Sequence, residues 1–145
     1  MKRQYTVMIA ALLLLVAGLV ATGSCAEKAM EAPGQPIIKD ISAQEALDLI
    51  QENQENPDFI IVDVRTPQEF ADGHIENAIN IDFNSGAFQN EIGKLDRNKK
   101  YLIYCRSGNR SRGALDVMIE LDFREVYHLY TGIISWEEAG FMIVK

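Results

Sequence analysis

Two short runs, Phe59-Ile60-Ile61-Val62 and Tyr101-Leu102-Ile103-Tyr104, are apolar or aromatic at every position. A strand with one wet face alternates polar and apolar residues, so a run without alternation predicts a strand covered on both sides. Strands of that kind belong to a mostly parallel sheet, because crossover helices are what cover both faces. The segments around the two runs supply the other elements. Ile37-Ile38 opens a short strand, and Ser42-Ala43-Gln44-Glu45 reads as a capping box that starts a helix with Ala46, Leu47, Leu49 and Ile50 on its inner side. Pro57-Asp58 breaks the chain before the first apolar run. A short helix is predicted over Pro67 to Ala71, a strand over Ala78 to Ile81, and a helix over Phe83 to Leu95 that Gly86 and Gly93 weaken. Further helices are predicted over Ser111 to Leu121 and Ile134 to Ala139, with a last strand at Val126 to Leu129 between them. The fold class is therefore α/β, a mostly parallel central sheet with helices on both faces. With 145 residues there is room for one ordinary domain.

The first 25 positions have a different character. Lys2 and Arg3 precede an apolar stretch from Val7 to Ala21, which ends in Thr22-Gly23-Ser24-Cys25. The stretch is shorter than the roughly 20 residues that span a bilayer, and its order is that of an export signal. A retained signal anchor is the alternative. The Gly23-Ser24-Cys25 end resembles a bacterial lipoprotein signal, in which the cysteine is lipidated, although Thr22 stands where that class usually has Leu. Cleavage after Ser24-Cys25-Ala26 would instead release a soluble protein. The expected organisation is a signal over 1–25 with lipidation at Cys25, a linker over 26–36 rich in Pro, Gly and Ala, and a domain over 37–145. Either form of the signal sends the domain to the cell envelope or periplasm, touching the membrane only through its N-terminus.

Charge narrows the partners. There are 21 acidic residues against 14 basic ones, and removal of Lys2 and Arg3 makes the remainder more acidic still. That excess argues against nucleic acid, whose phosphates call for clustered Lys and Arg. No phosphate-binding glycine loop or paired Cys/His metal spacing occurs in the sequence.

The sequence contains two cysteines. With Cys25 lipidated or removed, Cys105 has no partner for an internal disulfide. It lies immediately after the second apolar run, where open parallel sheets bind ligands. The following residues, Arg106-Ser107-Gly108-Asn109-Arg110-Ser111, turn the chain into a helix start. Helix N-termini present unpaired N–H groups, and Arg106, Arg110 and Arg112 add positive charge. Both effects favour a thiolate over a thiol. Gly108 lets the backbone curl so that successive amides point inward as an anion nest.

These residues resemble those of single-domain rhodaneses, a sulfurtransferase family. Cys105-Arg106-Ser107-Gly108-Asn109-Arg110 is similar to the family's six-residue active-site loop. Asp63-Val64-Arg65-Thr66-Pro67-Gln68-Glu69-Phe70 resembles its upstream signature. Gly73-His74-Ile75 with Ala78-Ile79-Asn80-Ile81, and Gly132-Ile133-Ile134-Ser135-Trp136 with Ala139-Gly140, resemble two more segments in the same order. Glu76-Asn77, Thr131 and Met142 depart from the pattern at turns.

The resemblance implies a cycle in which Cys105 takes the outer sulfur of a donor such as thiosulfate, becomes a persulfide, and passes the sulfur to cyanide or a thiol. No metal or organic cofactor is implied. Arg106, Ser107, Gly108, Asn109, Arg110 and Ser111 are expected to bind the anionic donor, while Asp63, Arg65 and Glu69 orient the loop. Glu69 is expected to pair with a loop arginine. His74 is expected to be a turn histidine, and His128 carries no functional signal. Three alternatives stand beside this reading. They are phosphatase chemistry, whose loop is one residue longer, an idle binding module, and an envelope persulfide carrier that delivers sulfur to a protein partner.

Overall fold

The computed structural model describes residues 34–145, so the predicted signal, its Cys25 and positions 26–33 of the predicted linker lie outside the described residues. Five strands alternate with five helices: β1 (Ile37–Ile41), α1 (Ala43–Glu52), β2 (Phe59–Asp63), α2 (Pro67–Asp72), β3 (Ala78–Asn80), α3 (Phe88–Ile92), β4 (Lys100–Tyr104), α4 (Asn109–Glu120), β5 (Glu125–Leu129) and α5 (Gly132–Glu138). The strands form one sheet in the order β1-β5-β4-β2-β3, and every pairing is parallel.

The non-alternating runs behave as their composition requires. In β4, Tyr101 and Ile103 face one hydrophobic core, with Leu115 and Met118 of α4 and Phe88 and Ile92 of α3. Leu102 and Tyr104 face the other, with Ala46 and Leu49 of α1 and Ile133 and Trp136 of α5. Neither face of the strand meets water, and all four side chains are buried.

Local signals set the helix starts. Ser42 caps α1 and Thr66 caps α2, each with a Glu three residues later reaching back to the cap amide. Loss of such a cap costs about 1 kcal/mol. Three helix starts differ from expectation. The helix expected from Phe83 is confined to Phe88–Ile92, because Asp82 caps the Asn84 amide in a turn and Phe83 packs against Gly113 of α4. The α4 helix begins at Asn109, earlier than Ser111, because Gly108 takes the left-handed cap conformation there. The α5 helix likewise begins at Gly132, whose φ of +67° turns the chain into it. At the Glu76-Asn77 departure, Asn77 adopts φ 64°, a conformation asparagine tolerates better than most residues.

Strand order positions the site. The β2 and β4 strands are neighbours, but the right-handed crossovers that follow them lead to opposite faces of the sheet. Their carboxyl ends therefore lie side by side, with Asp63 opposite Tyr104, at the kind of switch in strand order where such sheets place ligands, and the Cys105 segment begins there.

Candidate active site

Cys105 follows β4 directly and is 1% exposed. Its Sγ accepts the Gly108 amide at 3.1 Å and the Ser111 hydroxyl at 3.3 Å. The amides of Ser107 and Ser111 also donate toward it. Burial pushes the thiol pKa up, yet these donors outweigh it, and the group ionises below the ordinary thiol range. The nest depends on two glycines. Gly108 has φ +96°, and a Cβ there would lie 1.9 Å from the Tyr130 carbonyl oxygen. Gly132 packs against the Arg106 carbonyl, and the amides of Ile133 and Ile134 donate to the carbonyls of Cys105 and Arg106. The start of α5 thus holds the loop from behind.

Arg110 closes the loop on one side. Its Nη1 and Nη2 donate to Glu69 Oε2 and Oε1 at 2.6 and 2.7 Å, a two-pronged pair between α4 and α2. The arginine holds the Glu69 carboxyl far below its usual range, at about 2. The pair is therefore whole at neutral pH and is lost only as pH falls through that acid range.

Several of the expected site residues are engaged within the protein. Glu69 takes one N–H from each terminal nitrogen of Arg110, so the arginine can meet a donor only with its remaining N–H groups. Ser111 is fully buried, with its hydroxyl between Sγ and His128 Nε2. Asp63 and Arg65 make no hydrogen bond to the Cys105 loop. They pair with each other, with Arg65 Nη2 at 2.6 Å from Asp63 Oδ2, and Arg65 also donates to the Gly73 carbonyl. The Asn80 amide donates to the carbonyls of both residues. This buried cluster fastens the segment that carries Glu69, and its guanidinium sits 5.8 Å from the Tyr104 ring centroid. Removing one partner would strand the other charge, at about 3–5 kcal/mol. Arg106, Ser107 and Asn109 remain exposed on the outer side of the loop. His74 is a turn residue, its ring stacked on Phe70 and bonded to the Phe70 carbonyl.

One residue escaped the sequence reading. His128 of β5 is 1% exposed and stands with its Nε2 2.8 Å from the Ser111 hydroxyl. Its Nδ1 lies 2.9 Å from Asp40 Oδ1 on β1. Asp40 and Arg112 form an ion pair above it. The available signal was a histidine inside a buried strand, where each ring nitrogen must find a partner.

The chain matches the Rhodanese-like domain family over residues 42–139, which takes in the Glu69 and Cys105 segments together. It belongs to the rhodanese family. Among its relatives is a sulfurtransferase of Allochromatium vinosum, 32% identical over 66% of this chain and 88% of the relative. Another is the thiosulfate sulfurtransferase GlpE of Coxiella burnetii, also 32% identical, over 68% and 87% of the two chains. The crystal structure of a rhodanese-related protein from Thermoplasma volcanium superimposes with a TM-score of 0.60 at 33% identity, covering 73% of this chain and 97% of that one. Membership supports sulfurtransferase activity for this rhodanese in general terms, with a donor and an acceptor of sulfur as its substrates.

Proposed function

We propose that this rhodanese moves sulfane sulfur from a small anionic donor such as thiosulfate to a cyanide or thiol acceptor through a persulfide on Cys105. The observation that carries the proposal is the sulfur itself, ringed by the Gly108 amide and the Ser111 hydroxyl. In the first step the Cys105 thiolate attacks the donor's outer sulfur. A new Sγ–S bond forms, the donor's S–S bond breaks, and sulfite leaves with the electron pair. In the second step the acceptor attacks the outer sulfur of the persulfide, and Sγ departs as a thiolate.

The same donors that lower the pKa of Cys105 support the sulfur each time it carries charge. Burial of Cys105 favours donors that present a terminal sulfur on a narrow stem. Arg106 is exposed beside the nucleophile and is assigned to the donor's anionic end, with Ser107 and Asn109 at the mouth. Covalent transfer of this kind gives ping-pong kinetics. Initial rates with thiosulfate and cyanide varied together should give parallel double-reciprocal lines. Intersecting lines would contradict the persulfide route, and turnover confined to a protein acceptor would favour the carrier role.

The site of action is proposed to be the cell envelope, supported by the basic start, the apolar run and the small residues before Cys25. Metabolic labelling with a fatty acid should mark the full chain and not its Cys25→Ala variant. An unlabelled mature chain starting near Glu27 would indicate plain secretion.

A further inference from the structure

We propose that His128 is a positioning residue that draws the proton from the Cys105 thiol through the Ser111 hydroxyl, with Asp40 holding the imidazolium that results. The inference rests on Cys105 being the nucleophile, and it goes beyond that reading by identifying where the proton goes. The geometry is a continuous chain: Sγ to Ser111 Oγ at 3.3 Å, Oγ to His128 Nε2 at 2.8 Å, and Nδ1 to Asp40 Oδ1 at 2.9 Å. It begins at a buried sulfur and ends at a carboxylate whose side chain is 46% exposed.

Counting donors shows why the ends are linked. The Ser111 hydroxyl has one proton and three neighbours able to accept it: Sγ, Nε2 and the Gly108 carbonyl at 3.1 Å. While His128 is neutral, its Nδ1–H donates to Asp40 and its bare Nε2 takes the serine proton. Ser111 then has nothing to offer a thiolate, but it can accept the S–H of a thiol. When the S–H bond breaks, that proton joins Oγ while the original hydroxyl proton moves to Nε2. The products are a thiolate, a neutral serine and an imidazolium. Nε2–H now donates to Oγ, so the hydroxyl turns its proton to Sγ. Every donor has an acceptor in both states, and no heavy atom has to move.

The surroundings suit a base that is neutral at rest. The groups facing His128 are Asp40 from β1, Ser111 and Arg112 from α4, and the Gly108 backbone, with Cys105 reached through Ser111. Burial holds the imidazole below its ordinary pKa, and Arg112 adds to that, while Asp40 opposes it. Burial thus leaves Nε2 unprotonated at rest but opposes the imidazolium, and Asp40 together with the new thiolate supplies the opposite charge that favours it.

The test is the pH profile of Cys105 alkylation by iodoacetamide in the full chain, which reads the thiolate without requiring sulfur transfer. Failure of the inference and failure of the proposed function are therefore distinguishable. His128→Asn, which retains a donor toward Ser111 but takes no proton, should move the inflection up by about one pH unit, about tenfold slower alkylation at about pH 7. Ser111→Ala should produce a shift in the same direction, and the double variant should add little to the larger single effect. A folded His128→Asn with the wild-type profile would overturn the proposal, as would a shift seen with Ser111→Ala alone. Should His128→Asn not fold, ring-nitrogen NMR of the unaltered histidine decides. His128 should keep its imidazolium form to higher pH in the unaltered protein than in Cys105→Ala, because only there does a thiolate favour the second ring proton. Identical His128 titrations in the two proteins would overturn the proposal.

Discussion

Cys105→Ser is expected to lose sulfur transfer from thiosulfate by about three decades or more in kcat/KM. The reason is ionisation rather than shape. A free thiol ionises near pH 8.5, and the ring of donors from Ser107, Gly108 and Ser111 lowers that further. A serine hydroxyl starts many units higher, so the same donors leave it protonated. An alkoxide formed in passing would still lack a stable bond to sulfane sulfur. The variant should fold normally, since an oxygen beneath the same amides is well hydrogen-bonded, and its Tm should stay close to that of the unaltered domain. Steady-state kinetics with a thermal melt on the same sample check both halves. Turnover within a few-fold of the unaltered enzyme would remove Cys105 from the chemistry.

The second large effect belongs to a residue with no reactive atoms. Gly108→Ala should lower kcat/KM by about two decades or more, in line with the loss of a preorganised backbone donor. The added Cβ would lie 1.9 Å from the Tyr130 carbonyl oxygen and 2.9 Å from its carbon. Both are backbone atoms, so no rotamer relieves the overlap. The φ of +96° is also one that an L-residue adopts only under strain. The loop must shift, carrying the Gly108 amide off Sγ and displacing the first turn of α4. Stability should fall by about 2–4 kcal/mol. Gly86→Ala is the control, because nothing lies within 4 Å of a Cβ at that position. Alkylation and turnover measured on both variants should separate them clearly. Wild-type activity in a folded Gly108→Ala would mean that the backbone nest does not support the sulfur.

The fold was legible because β2 and β4 are apolar on both faces, a property that local composition displays directly. Helix ends were less so. The capping boxes at Ser42 and Thr66 are patterns within four residues, whereas the late start of α3 depends on Phe83 meeting Gly113 of another helix. The Cys105 loop was readable for the same reason as the capping boxes, since thiol, glycine and arginines are contiguous. Opposite charges in two motifs suggested a tie between Glu69 and the loop. Only the assembled fold shows that Arg110, rather than another loop arginine, makes it, and with both prongs.

The Asp40–His128 contact had no such local sign. Its partners are 88 residues apart and meet because β1 and β5 pair in parallel with Asp40 opposite His128. The alternation that places Val126 in the α4-side core turns His128 toward Ser111 as well. Strand register is a property of the assembled sheet, so a histidine within a strand gave no hint of its neighbours.

The central claim is that Cys105 carries the transferred sulfur. Intact mass spectrometry of the purified domain after incubation with thiosulfate tests it most directly. One added sulfur atom on the unaltered chain, removed by cyanide and absent from Cys105→Ser, is the predicted result. Sulfur that loads equally onto Cys105→Ser, or turnover with no mass change on a catalytically active sample, would contradict it.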